Sequence, residues 1–324
     1  MATIPSISMI PSGYKENKVY SVLPTNGDGD LDFARTSVAT RINENGLIEE
    51  MGTGVPRLDY SNGSCPSLLL EPQSTNLYLN SEIIVTQDVT TSATDYTVSF
   101  YGTGTITFTG SYSGSLVGSG ASTRVVLTFT ATSGTLTSTV SGSATQGQIE
   151  ALGYATSYIK TEGSTVTRVA DTASKSGLEN QINSEEGVLY LEISSSVNGV
   201  TNKRITLSDG TNSNRISFGF SNTENEAIFI VSMGGVNAIS TVNIGNQTDI
   251  RKIAISYKTQ SILFYVNGVK VGNSNISFSG SGINKINFSN ESNNSLFNFE
   301  GNVKDLRVYK KALTEEELQT LTTF

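Results

Sequence analysis

Short runs in which apolar residues alternate with Ser and Thr fill the middle of the chain. Tyr96-Thr97-Val98-Ser99-Phe100, Thr105-Ile106-Thr107-Phe108-Thr109 and Val125-Val126-Leu127-Thr128-Phe129-Thr130 follow this pattern, and Leu136 and Val140 mark another run. A period of two puts apolar side chains on one face and hydroxyls on the other, so these runs predict antiparallel strands with one wet face. Gly102-Thr103-Gly104 and Ser133-Gly134 supply the turns between them. Residues 81–173 are therefore expected to form a β-sandwich module whose Thr-rich outer faces reflect strand propensity.

A different pattern opens the last third. Val188-Leu189-Tyr190-Leu191-Glu192-Ile193 is almost continuously apolar, the signature of a strand covered on both faces. Ile205-Thr206-Leu207, Arg215 to Phe220 and Ala227 to Val231 follow as further strands. Between Ser261-Ile262-Leu263-Phe264-Tyr265-Val266 and Val269-Lys270-Val271 stands Asn267-Gly268, which tolerates two successive positive φ values and so predicts a two-residue type I′ hairpin. Thr314 and Glu317 bracket a capping box ahead of Leu318 and Leu321, predicting one short C-terminal helix.

The first 80 residues hold all six prolines and little sustained alternation. Proline fixes φ and removes a backbone donor, so this region is expected to be extended, turn-rich and held by contacts with something else, as an attachment segment would be. Residues 174–183, rich in Ser, Gly and Asn, read as a linker before a unit spanning 184–324. The fold class is thus all-β: an extended N-terminal attachment region, a β-sandwich module and a C-terminal sandwich closed by one helix.

Composition narrows the chemistry. The chain has 324 residues, carries a net charge of −8 and contains neither His nor Trp. No clustered Lys/Arg stripe is present, which argues against nucleic acid as a partner. Met1-Ala2-Thr3-Ile4-Pro5 lacks the basic and apolar segments of a signal peptide, and no stretch approaches the roughly 20 apolar residues that span a bilayer, so no membrane insertion is expected. Cys65 is the sole cysteine; it allows no intrachain disulfide and reads as a small buried residue. Without His, Ser-His-Asp and Cys-His machinery is excluded. Without Trp, a sugar site has to rely on Tyr, Asn and Asp.

Candidate ligand residues are Asp209, Asn212, Asn214 and Arg215, which can hydrogen-bond sugar hydroxyls, with Tyr257 or Tyr265 as a flat platform. The same loop text also suits ordinary turns. Gly27-Asp28-Gly29-Asp30 resembles a calcium loop by residue type, but its spacing selects an ordinary turn, so neither a metal site nor another cofactor is assigned. Catalytic carboxylates are not identified either. Glu185 and Glu186 are adjacent and point to opposite faces, and Glu315, Glu316 and Glu317 are accounted for by the helix start, so a glycoside hydrolase is the weakest reading.

Two resemblances cover most of the chain. The succession Gly187-Val188-Leu189-Tyr190, Ile253-Ala254-Ile255-Ser256-Tyr257, Leu263 to Gly268 and Phe299 to Tyr309, followed by Ala312-Leu313-Thr314, resembles the concanavalin A-like, laminin-G-type jelly rolls. That resemblance implies glycan binding in some members and no ligand in others. Phe33 to Asn43, Gly46 to Glu50, Val55 to Tyr60 and Cys65 to Leu77 resemble head-fibre and tail-fibre proteins of phages, including crAss-like phages of Bacteroidetes. Gln148-Ile149-Glu150, Ala155 to Ile159 and Thr167 to Asp171 extend the match. It implies a virion protein made in the host cytoplasm, attached to capsid or tail proteins through its N-terminal region, homotrimeric, and directed at a host-surface glycan; a capsid decoration protein without a ligand is the alternative.

Overall fold

The computed structural model describes residues 3–280, 282–290 and 297–324; Met1 and Ala2 of the expected N-terminal sequence lie outside the described residues. The chain is nearly all β, with one helix among the described residues, Glu315–Thr322. The alternating runs pair as their pattern predicts. Asp95–Gly102 lies between Gly120–Thr130 and Ala144–Glu150 in a three-stranded sheet. A four-stranded sheet runs Gln87–Thr91, Gly134–Ser141, Thr105–Gly110, Gly114–Val117. Val98, Phe100, Ile106, Phe108, Phe129 and Leu136 meet between the two sheets, and Tyr112 stacks on Phe129 with ring centroids 4.0 Å apart.

The C-terminal region is a sandwich made of two larger sheets. One runs Val269–Ser274, Ser261–Val266, Arg251–Lys258, Glu186–Ser195, Gly301–Tyr309, Ser67–Leu70, Arg57–Asp59, with Ile7–Met9 also pairing to Gly301–Tyr309. Glu186–Ser195 is central, which explains its unbroken apolar text. Leu189, Leu191 and Ile193 enter the main core, while Val188 and Tyr190 pack on the other face beneath Leu318 of the helix. Asn267 and Gly268 both have positive φ, 48° and 80°, closing a two-residue hairpin. Thr314 Oγ1 accepts from the Glu317 amide at 3.2 Å, and the Glu317 carboxylate accepts from the Thr314 amide at 2.8 Å.

The second sheet has nine strands: Tyr14–Lys15, Lys18–Val19, Leu31–Ala34, Thr172–Lys175, Lys285–Asn287, Lys203–Ser208, Arg215–Phe220, Glu226–Met233, Val236–Asn243. Together the two sheets correct the expected partition. The Pro-rich leader is held by contacts, but within its own chain: Ile7, Met9, Val19, Leu31, Phe33, Leu68 and Leu70 enter the same core as Phe218, Phe229 and Ile255. Its strands are two to four residues long, too short to show a period, yet they complete both sheets of the jelly roll. Residues 174–183 are likewise not a free linker, since Leu178 and Ile182 are buried in that core. Cys65, expected inside, is exposed in the turn before Ser67–Leu70.

Candidate functional site

The loop Asp209 to Arg215 joins two adjacent strands of the nine-stranded sheet. Asp209 accepts from the Thr211 amide at 2.8 Å, the Thr211 hydroxyl at 2.6 Å and the Asn214 amide group at 2.7 Å. Burial works against its charge, but these bonds dominate and hold its carboxyl below the ordinary value. Asn214 also accepts from the Gly234 amide at 2.8 Å, and Arg215 Nη1 donates to Asn212 at 2.6 Å and to Asn290 at 2.5 Å. The four loop residues named from sequence therefore come together, with most of their polar atoms engaged in shaping the turn.

The two tyrosines do not join them. Tyr257 is wholly buried in the main core and donates to the Asn183 carbonyl at 2.8 Å; Tyr265 is buried on the opposite face of its sheet, against the helix, 3.3 Å from Glu315. Neither offers a platform. Register explains this: Tyr257 faces Ile262 and Tyr265 faces Ala254, so the hairpin directs them to opposite sides.

Sequence reading missed a buried ionic junction between the leader and the middle module. Arg35 donates to Asp171 at 3.0 Å, Arg57 pairs with both Asp171 and Glu71, and Arg168 lies 2.9 Å from Glu71. Glu71 also accepts from the Ser157 amide at 2.7 Å and hydroxyl at 2.6 Å. Burial pushes Glu71 up, but Arg168, Arg57 and Ser157 outweigh it and bring the carboxyl down to about 2. Burial likewise opposes the charge of Arg57, yet Asp171 and Glu71 raise its pKa. Glu150 joins through Thr156, whose hydroxyl also accepts from Arg168 at 3.1 Å. Three guanidiniums thus meet two carboxylates directly, with a third, Glu150, one hydroxyl away. All six residues fall in the segments that carry the fibre resemblance, and the visible signal was charge set within apolar text, as in Leu68-Leu69-Leu70-Glu71. The arrangement fixes architecture. Next to it, Tyr154 donates to Glu300 at 2.8 Å, tying the middle module to the jelly roll.

One buried lysine and two half-buried arginines at the jelly roll form no ion pair among the described residues. Lys203 is fully buried and points its ammonium at the Gly199 and Thr201 carbonyls, 3.4 and 3.2 Å away; burial, partly offset by Glu300, lowers its pKa to about 8. Arg204, the next residue, alternates with the core residues Ile205 and Leu207 and so emerges on the outer face of the nine-stranded sheet. Its stem lies over Gly219, where an added Cβ would stand 3.0 Å from Arg204 Cγ, and its guanidinium is 5.3 Å from the Phe297 ring centroid. Arg204 Nε and Nη1 and Arg215 Nε are buried and without partners. Burial lowers the pKa of both arginines, and Arg215 lowers that of Arg204 further. Between them Thr206 and Ser217, both fully buried, bond hydroxyl to hydroxyl at 2.9 Å. Among the described residues, no cluster of three or more His, Cys, Asp or Glu gathers as metal ligands, and no helix is long and apolar enough to cross a membrane.

Residues 194–319 match the model of the concanavalin A-like lectin/glucanases superfamily, Laminin_G_3. Solved structures similar to the chain include the Ruminococcus gnavus IT-sialidase CBM40 bound to α2,3 sialyllactose, with TM-score 0.38 and 13% identity over 44% of this chain and 84% of that one. The K499G mutant of the NanB sialidase from Streptococcus pneumoniae gives TM-score 0.39 and 16% identity over 45% and 26%. The botulinum neurotoxin serotype D binding domain gives 0.37 and 16% over 47% and 40%. No curated protein matches the chain in sequence. The C-terminal region thus defines the class, a protein carrying a concanavalin A-like jelly-roll domain.

Proposed function

We propose that this chain is a non-enzymatic attachment subunit of a bacteriophage virion, a head or tail fibre protein that binds host-surface carbohydrate through its C-terminal jelly roll. The observation that carries the glycan reading is the match of residues 194–319 to the concanavalin A-like lectin/glucanases superfamily, on a sandwich whose polar loop gathers Asp209, Asn212, Asn214 and Arg215. The fibre reading draws its support from the leader text, whose Arg35, Arg57 and Glu71 are gathered in the buried junction. A non-catalytic role is supported by the absence of His and by the engagement of Glu71, Asp171 and Glu150 in that junction. Within this proposal the subunits assemble as a homotrimer and dock on other virion proteins.

The test uses the full chain, because leader strands complete both sheets of the jelly roll. A glycan array read with calcium and with chelator is expected to show saccharide binding, and a silent array in both conditions contradicts the glycan reading, leaving capsid decoration. Immunogold labelling of purified particles is expected to mark the virion surface; unlabelled particles contradict the virion assignment. Sedimentation of the full chain as a monomer at micromolar concentration contradicts the trimer.

A further inference from the structure

Leader, middle module and jelly roll meet around a cleft of about 310 Å³. The leader supplies Arg41, Ile42 and Ile48 from the paired strands Ala39–Ile42 and Ile48–Met51, together with Asp59 and Ser61. Tyr101, Arg124 and residues 155–158 come from the middle module, and Ser196 and Asn302 from the jelly roll. Much of this lining can be reached: Ser61 is exposed, and Arg41, Tyr101, Arg124, Ser196 and Asn302 are half-buried. Small-molecule sites concentrate at junctions between domains, with volumes from about 300 Å³ upward. The ladders on both sides of Tyr101 shift register, between Ser99 and Tyr101 against Ala144–Glu150 and between Phe100 and Gly102 against Gly120–Thr130. Such an irregularity breaks the in-and-out alternation and re-aims a side chain. Thr97 and Ser99 on the same strand are fully buried, whereas Tyr101 lines the cleft.

The polar groups of the cleft divide into those already engaged and those left over. Asp59 accepts from the Ile42 amide at 2.7 Å, from the Ser61 amide at 2.9 Å and from the Ser61 hydroxyl. Glu71 is taken up by Ser157 and by the arginines of the ionic junction. Arg41 pairs with Glu49 at 2.8 Å and donates to the Leu58 carbonyl at 2.9 Å. Arg124 donates to the Thr156 carbonyl and to the Ser99 hydroxyl, each at 2.7 Å, which uses one hydrogen on each terminal nitrogen. Asn302 accepts from Ser67 through its oxygen at 2.8 Å, leaving its amide nitrogen without a partner among the described residues. The hydroxyls of Tyr101 and Ser196 have none there either. Charge is balanced, with Arg41 and Arg124 in the lining against Asp59 and Glu71. What remains is a phenol ring, a hydroxyl, an amide and spare guanidinium hydrogens beside the apolar side chains of Ile42, Ile48 and Ala155. Directional polar groups around an apolar surface fit a molecule that carries hydroxyls on a ring.

We infer that this cleft is a saccharide site, separate from the jelly-roll loop, and that it takes one neutral sugar residue, with Tyr101 against the ring and Arg124, Ser196 and Asn302 bonding its hydroxyls. The inference goes beyond the jelly-roll reading and does not depend on it. A sugar acid is disfavoured, because Asp59 and Glu71 line the same cleft and its arginines are already matched in number. The ionic junction sets one wall, since Glu71 and Arg168 both hold Ser157.

The chain contains no Trp, so Tyr101→Trp in the full chain places a single fluorescent reporter in the cleft. This variant is titrated with the methyl glycosides of glucose, galactose, mannose, fucose, rhamnose and N-acetylglucosamine, and with glucuronate. The parent chain is titrated calorimetrically with the same set, so that a tryptophan too large for the cleft does not hide binding. At least one neutral glycoside is expected to give a saturable signal and to bind at least as tightly as glucuronate. Ser196→Leu narrows the cleft while keeping the Ser196 amide bond to the Glu300 carbonyl, 3.1 Å. It is expected to weaken that binding about tenfold or more, the scale of one or two lost hydrogen bonds, with a melting temperature close to that of the parent. Binding that survives Ser196→Leu overturns this site and leaves the jelly-roll reading standing. Tighter binding of glucuronate overturns the neutral class. Emission that follows protein concentration rather than sugar assigns the cleft to a neighbouring subunit and overturns the inference, as does the lack of a saturable signal in both titrations.

Discussion

Two groups of desolvated arginines in this molecule live under opposite conditions. At the junction of leader and middle module, Arg35, Arg57 and Arg168 each reach a carboxylate or its immediate hydrogen-bonding partner. Their Nε atoms are not all bonded, since those of Arg57 and Arg168 lack partners, but the charge is balanced. On the outer face of the nine-stranded sheet, Arg204 and Arg215 are partly desolvated and form no ion pair among the described residues. Burying a charge is tolerable when the partner is internal, and the first group accordingly acts as a structural lock.

That contrast can be broken most forcefully at Asp171, which serves Arg35, Arg57 and the Glu71 amide together. Asp171→Asn strands two guanidiniums, and a loss of about 3–5 kcal/mol is expected in denaturant unfolding. Met9→Ala probes whether the leader is truly part of the jelly roll. Met9 is wholly buried and its strand pairs with Gly301–Tyr309, so truncation is expected to cost about 2–5 kcal/mol in the same assay. A leader that only hung from the domain would show no such loss.

Acid sharpens the comparison further. Glu71 has a folded-state pKa of about 2 against an ordinary 4.5. A depressed carboxyl stabilises the fold fully above its unfolded value, so this contribution, roughly 3 kcal/mol, is expected to drain away as pH falls from about 4.5 towards 2. Glu71→Gln should flatten that part of the stability profile. Tyr257→Phe removes one hydrogen bond to the Asn183 carbonyl and is expected to cost about 1 kcal/mol without altering glycan binding, as fits a core residue. Arg204→Gln stands at the small end: a change within about 0.5 kcal/mol is expected, because among the described residues only the contact with the Phe297 ring is lost.

Much of the architecture was legible because its signals are local. Period-two text gave the middle strands, Asn267-Gly268 the hairpin, Thr314 and Glu317 the helix start, and the two-sided apolar run at Val188 a central strand. What escaped was nonlocal. Ile7–Met9 pairs with residues about 300 positions away, and strands of three residues announce no period. The site was harder still. Tyr257 and Tyr265 look equivalent in a list of aromatic residues, yet strand alternation across the hairpin sends one into the core and the other under the helix. Arg215 stands in the polar loop text that marks a candidate, whereas Arg204 carries no local signal; the glycine at 219 that makes room for it gains meaning only once the two are aligned.

The most direct measurement is a side-by-side thermal melt of Asp171→Asn and Arg204→Gln against the parent chain at neutral pH. The account expects a large drop for Asp171→Asn and a melting temperature for Arg204→Gln that is unchanged or slightly raised. A parent-like Asp171→Asn together with a strongly destabilised Arg204→Gln would contradict it, since the lock and the outer-face arginines would then have exchanged roles.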